Sequence, residues 1–187
     1  FLSVDPAMAN TAIVYGEILS NGVLKPQGYV LSQTKPKGGT DSRSIVDHRI
    51  EARILPTMNF IKDLLENYKP DVCFAETPTG SKSAGAAISY GISCAFIALL
   101  EPYCITSTPT EIKKACTGER NAKKIQVMNW ARENFPDFPW NLKKDGSLVL
   151  GRMEHVADAI GAAYTGLNNE KKFDKFLKTY CQYNWCT

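Results

Sequence analysis

Apolar and polar positions along the 187-residue chain follow two periods. Alternation with a period of two comes first. Residues 1–4 run apolar into Asp5, and Pro6 stops the pairing. Over residues 11–19, Ala12, Val14 and Gly16 alternate against Ile13, Tyr15 and Glu17, which predicts a second strand. Ser20-Asn21-Gly22 is a hairpin signal, because Asn and Gly tolerate the positive φ of tight turns. Residues 23–32 predict a third strand, placed at an edge because Pro26 lacks an N–H. Helical spacing follows over residues 44–68: Ile50, Ile54, Met58, Ile61 and Leu65 share a face, and Pro56 is expected to kink or split the run. Residues 72–75 are an unbroken apolar run between Lys69-Pro70 and Thr77-Pro78, which predicts a fully buried central strand with Glu76 at its exit. Residues 80–100, rich in Gly, Ala and Ser, predict a buried helix that packs under the sheet or dimerises. Residues 105–107 predict a short strand, ended by Pro109. Two helices then flank a turn at Thr117-Gly118, the second running to Glu133. Residues 141–151 are polar and expected to be mobile. Residues 154–167 predict the last clear helix, and the tail to residue 187 reads as a basic amphipathic helix with an aromatic end.

Composition bounds this picture. A hydrophobic content of 44% and a charged content of 22% suit one globular domain spanning residues 1–187, with 168–187 as an extension. The net charge of +3 does not by its sum imply a nucleic-acid partner, so its distribution carries the argument. Lys113, Lys114, Arg120, Lys123 and Lys124 cluster around the Thr117-Gly118 turn. That cluster reads as a solvated face, or as a phosphate contact helped by free N–H groups at Gly118 and the next helix start. Lys35 and Lys37 sit in a flexible loop over residues 34–40, which reads as a linker or a phosphate contact. Six scattered cysteines and no leader-like start suggest reduced thiols and a cytoplasmic protein. Two histidines (His48, expected at the surface, and His155) argue against structural zinc. The apolar stretch 85–100 is shorter than the roughly 20 residues a membrane span needs.

The candidate chemistry lies at element ends. Asp5 and Glu76 each close a strand. His155 and Asp158 are spaced i, i+3 and share a helix face, with Glu154 within reach of the same cluster. Singly, each is most simply a solvated or structural residue. Together they form a candidate metal site. Hard oxygen donors from three elements suit Mg²⁺ or Mn²⁺, and two such ions about 4 Å apart are common machinery for phosphodiester hydrolysis.

This order of motifs resembles the ribonuclease H-like fold and, more narrowly, the RuvC family of Holliday-junction resolvases. The residues that carry the likeness are Val4-Asp5-Pro6, the run 69–76 ending in Glu76, the segment 118–126 with Ala122-Lys123-Lys124, and His155-Val156-Ala157-Asp158-Ala159. The resemblance implies an α/β domain with a mixed central sheet, an antiparallel N-terminal meander and helices on both faces. It implies Asp5, Glu76, His155 and Asp158 as ligands of Mg²⁺ or Mn²⁺, two ions per active site, with Lys124 as an active-site lysine. It places Lys113 at another such position and implies branched DNA as partner, held by Lys35, Lys37, Lys82, Lys113, Lys114, Arg120 and Lys123. The helix over residues 80–100 would be the dimer helix. Thr79 stands where the family often has an aromatic that disturbs base stacking, which fits a phage-type relative of broader branch specificity. The rival readings are a flap or RNA–DNA hybrid nuclease of the same fold, and a non-catalytic DNA-binding module.

Overall fold

The computed structural model describes residues 1–7, 10–33, 54–80, 83–101 and 104–184. Strands β1 (Leu2–Asp5), β2 (Asn10–Ile18) and β3 (Leu24–Gln33) form the antiparallel meander. Helix α1 (Leu55–Tyr68), strand β4 (Cys73–Glu76), helix α2 (Ala84–Ala98) and strand β5 (Cys104–Ser107) follow. The chain ends in α3 (Pro109–Thr117), α4 (Lys124–Asn134), α5 (Leu150–Leu167) and α6 (Glu170–Asn184). The five strands make one mixed sheet in the order β3-β2-β1-β4-β5, with β4 parallel to β1 and β5 parallel to β4. This is the ribonuclease H-like arrangement expected from the motif order, with Pro26 on the edge strand.

Strand alternation sorts the side chains between two helical layers. Leu2, Val4, Ile13, Cys73 and Ala75 join Ile61 of α1 and Phe96 of α2 on one face. Ala12, Val14, Phe74 and Ile105 join Val156, Ile160 and Ala163 of α5 on the other. Because the period is two, Ser3 and Asp5 of β1 face α5, as do Phe74 and Glu76 of β4. Ser3 Oγ donates to the Ala159 carbonyl at 2.6 Å, which fixes the helix across these strands.

Helix α5 lies so close to its neighbours that two of its glycines have no room for a side chain. A Cβ on Gly166 would come 2.6 Å from Phe74 Cδ1, and one on Gly161 would come 2.7 Å from Ile112 Cγ2. Overpacking a filled core costs about 1–3 kcal/mol. Gly166→Ala is therefore expected to lower the thermal unfolding midpoint by roughly 2–10 °C. Gly151→Ala is the control, since nothing lies within 4 Å of its added Cβ. Equal midpoints for the two variants would contradict this packing account.

Several expectations need correction. Pro56 does not kink a described helix: it stands in the first turn of α1, where a missing N–H costs nothing. Residues 44–53, including His48 and Ile50, lie outside the described residues. Helix α2 is buried on one side only: Ile92, Ser93, Phe96, Ile97 and Leu100 are buried, while Ala84, Ala87, Ile88, Gly91, Cys94 and Ala95 are exposed. Gly118 offers no free N–H. It caps α3 at φ 79° and donates to the Lys114 carbonyl at 2.9 Å. Pro109 opens α3, behind a Thr108–Glu111 capping box. Helix α5 starts four residues earlier than expected, at Leu150. Residues 141–151, expected to be mobile, contain a hydrogen-bonded turn in which Leu142 pairs with Leu148. Helix α6 caps the core. Phe176 is buried, and with Tyr180 it lines a cavity shared with Phe1 and Val72, at the strand ends away from Asp5 and Glu76.

Candidate active site

The ends of β1 and β4 bring Asp5 and Glu76 side by side under α5. Asp5 is 8% exposed, too little for solvent alone to satisfy a charged carboxylate. Across from it, His155 Nδ1 donates to Asp5 Oδ2 at 2.6 Å. Asp158, one turn further along α5, lies near enough to Asp5 for their charges to repel. Glu154 completes the first turns of the face: its Oε1 is 3.6 Å from His155 Nε2 and 3.4 Å from Lys124 Nζ.

The electrostatics follow from this crowding. Burial, then repulsion from Asp5 and Asp158, pushes the Glu76 carboxyl up to about 9, against the pull of Lys124 and Lys113. Burial, then Asp5, raises Asp158 to about 7. The hydrogen bond to Asp5 raises His155 above the ordinary imidazole value, though burial opposes it. Carboxylates placed where their own ionisation is unfavourable mark a site that positive charge would relieve.

The donor set fits a hard divalent cation in kind. Three carboxylates and one imidazole surround the strand ends. Ser107, in register with Glu76 on β5, is buried with its hydroxyl lacking a hydrogen-bond partner. Among the described residues, no three His, Cys, Asp or Glu side chains yet converge at ligating distance. The resemblance implied His155 as a ligand. Here its Nδ1 is bonded to Asp5, so a metal ion taken at that nitrogen would have to compete with a proton.

A cavity of about 580 Å³ opens from these groups. Asp5, Glu76 and His155 form one wall, and Ser89, Tyr90 and Ser93 of α2 form the other. Ser93 Oγ donates to the Pro6 carbonyl at 2.7 Å, pinning the chain just after Asp5. Ser93 was not singled out from the sequence. The available signal was a polar residue at helical spacing with Phe96, Ile97 and Leu100. Thr79 lines the same cavity.

Of the expected DNA contacts, Lys113 lies within electrostatic reach of Glu76, while Lys114, Arg120 and Lys123 are exposed around the α3–α4 corner. Lys35, Lys37 and Lys82 lie outside the described residues.

No family model matches the chain. It is 29% identical over 178 residues to a crossover junction endodeoxyribonuclease RuvC of Treponema denticola, covering 89% of this chain and 84% of the relative. A solved Thermus thermophilus RuvC in complex with a Holliday junction substrate superposes with a TM-score of 0.57 at 17% identity, over 88% of this chain and 90% of that one. The yeast mitochondrial Holliday junction resolvase Ydc2 superposes with a TM-score of 0.63 at 13% identity, over 97% of this chain and 83% of that one. The resemblance read from the motifs is borne out.

Proposed function

We propose that this chain is a metal-dependent, structure-selective endodeoxyribonuclease. It resolves four-way DNA junctions as a homodimer, by paired symmetric nicks that leave 5′-phosphate and 3′-hydroxyl ends. The observation that carries this reading is the gathering of Asp5, Glu76, Asp158 and His155 at one end of the central strands, with Asp5 buried and with Glu76 and Asp158 raised against ionisation by burial and by repulsion from neighbouring carboxylates. The activity named for the Treponema relative is the one such a donor set serves.

Asp5, Glu76, His155 and Asp158 would hold the divalent ions, two per site. Bound there, the ions supply an activated water and stabilise charge on the scissile phosphate and the leaving 3′ oxygen. The chain's own residues do the rest. Asp5 holds the His155 ring through Nδ1. Glu154 holds Lys124 at the rim, where its ammonium offsets negative charge brought by a phosphate. The charge of Lys113, within electrostatic reach of Glu76, acts in the same sense. Lys114, Arg120 and Lys123, with Lys35, Lys37 and Lys82, would hold duplex arms through phosphates.

The dimer is carried by α2. Its outward stripe of Ala84, Ala87, Ile88, Gly91, Ala95 and Ala98 is apolar and exposed, and its small side chains would let a second copy approach closely. Cys94 lies within that stripe, exposed and unpaired. A short bis-maleimide is expected to link Cys94 to its symmetry mate, giving a 41-kDa-class band of about twice the chain mass. Cys94→Ser should abolish the band. Failure of wild type to cross-link, together with a monomer in sedimentation, would remove the dimer. Cys73, Cys94, Cys104 and Cys116 are free thiols.

The direct test is cleavage of end-labelled DNAs in Mg²⁺, Mn²⁺ or EDTA. The panel is a four-way junction, a flap, a plain duplex and an RNA–DNA hybrid. Paired symmetric nicks in the junction alone, lost in EDTA, are expected. Equal cutting of flap or hybrid would replace this reading with a broader branch or hybrid nuclease. Junction binding without cutting under any metal would make the chain a binding module.

A further inference from the structure

The charge of this chain is unevenly placed. Residues 120–152 carry seven Lys or Arg against three Asp or Glu, a net +4 where the whole chain has +3. Arg120, Lys123 and Lys124 of this set belong to the Lys113–Lys124 corner; beyond it Arg132, Lys143, Lys144 and Arg152 stand against Glu133, Asp137 and Asp145, and Lys143 and Lys144 lie on a feature that the proposed chemistry does not use. The turn over residues 141–149 projects just before the catalytic helix. Lys143 N donates to the Ser147 carbonyl at 2.7 Å, and Gly146, at φ 77°, closes the bend. Lys143 and Lys144 are exposed at its tip. The one acid of the turn, Asp145, is engaged locally, accepting from Ser147 N at 2.9 Å and Ser147 Oγ at 2.6 Å.

The base of the turn is tied to α5. Val149 N donates to the Asn141 carbonyl at 3.1 Å, and Met153 N donates to the Val149 carbonyl at 3.0 Å. Leu148 and Met153, 4% and 0% exposed, are both buried in the main core. Met153 stands two residues before His155, so the exposed tip and the catalytic face share one rigid support. Against the turn lies α4, whose Ile125, Asn129 and Arg132 recur at helical spacing. Together they enclose a shallow cleft of about 160 Å³ with Lys143 and Leu150. Helix α4 begins at Lys124, which is paired with Glu154 at the active-site rim. Exposed cations therefore recur from the site to the turn, Lys124 at the start of α4, Arg132 on its cleft wall and Lys143 across from it. Leu142 and Leu150, 45% and 51% exposed, add apolar surface to it.

We infer that the 141–149 turn and the outer face of α4 form a binding surface for one duplex arm of the DNA, gripping its phosphate backbone through Lys143, Lys144 and Arg132. The inference rests on the nuclease reading and extends it. Regularly spaced phosphates are the chemistry this surface complements: exposed cations, apolar patches suited to deoxyribose, and a fixed position relative to the scissile bond.

The test is fluorescence anisotropy of a labelled four-way junction in EDTA, over a range of salt. Lys143→Glu/Lys144→Glu is compared with Lys175→Glu/Lys178→Glu, which changes net charge equally on α6. The turn variant is expected to bind about 10-fold or more weakly near 100 mM salt, with a log–log salt slope shallower by about 2. The α6 variant should stay within about 2-fold of wild type. Equal losses in the two variants, or no loss in the turn variant, would overturn the inference while leaving the nuclease reading intact. Absence of wild-type binding would overturn both. If the turn variant does not fold, Arg132→Glu reads the opposite wall of the cleft. It is expected to weaken binding about 3- to 10-fold, and unchanged affinity there would likewise overturn the inference.

Discussion

An Asp5→Asn variant is expected to bind a four-way junction as wild type does and to cleave it at least about a thousandfold more slowly. Asp5 is the residue on which the site's interactions converge. It accepts from His155 at 2.6 Å, and its charge raises both Glu76 and Asp158. Asparagine keeps the shape and a carbonyl acceptor for His155 but removes the charge that an ion needs. The fold should survive, because β1 is held by its ladders and by Ser3. The same loss of repulsion should leave the variant as stable as wild type or slightly more so, the usual sign of a group kept for function. Binding constants, single-turnover rates and thermal midpoints check the three statements separately. Cleavage within about 10-fold of wild type would remove Asp5 from the metal-holding set.

In the absence of metal, stability is expected to fall as pH rises from about 5.5 to 9, and Mn²⁺ or Mg²⁺ is expected to restore it. Burial and neighbouring carboxylates raise Glu76 from 4.5 to about 9 and Asp158 from 3.8 to about 7. The native state therefore holds these protons to higher pH than the unfolded chain does. Their contribution is full below the unfolded pKa values and is lost as pH rises through about 7 and about 9. His155, raised by Asp5, acts in the same direction. Glu111 has the opposite sign, since Lys172 and Thr108 hold it below the usual range. Its contribution is complete above its unfolded pKa, so it does not vary over this window. Because the acidic groups share one field, their effects do not add. A net loss of ~2 kcal/mol corresponds to a midpoint roughly 4–8 °C lower at pH 9. An ion binds the deprotonated donors, so its stabilising shift should be large at pH 8.5 and small at pH 5.5. Thermal melts at both values, with and without Mn²⁺, provide the measurement. A midpoint insensitive to metal at pH 8.5 would count against the site.

Much of the fold was legible because the sheet's strands are sharply bounded. Breakers at Pro6, Pro70 and Pro78 delimit two of them, and the Asn21-Gly22 turn joins two others. Each end was read to within one or two residues. Helix starts were less legible. Val149 makes no side-chain cap, and Gly151 does not announce a helix, so α5 was read four residues short. The turn over residues 141–151 was taken for a mobile segment. Its order comes from Leu148 and Met153 packing into a core assembled by distant strands.

The sequence by itself determined which residue types close the strands and which share a helix face. Asp5, Glu76, His155 and Asp158 follow from local periodicity, which depends only on neighbours along the chain. Tertiary structure decided how close these groups come, because their pairing spans up to 150 residues. It also decided that α2 buries one side and exposes the other. A helix with small and apolar residues all round carries too weak an amphipathic signal to reveal which side meets the sheet. Finally, it placed the turn over residues 141–149 against α4, where charges that look scattered in sequence form one surface.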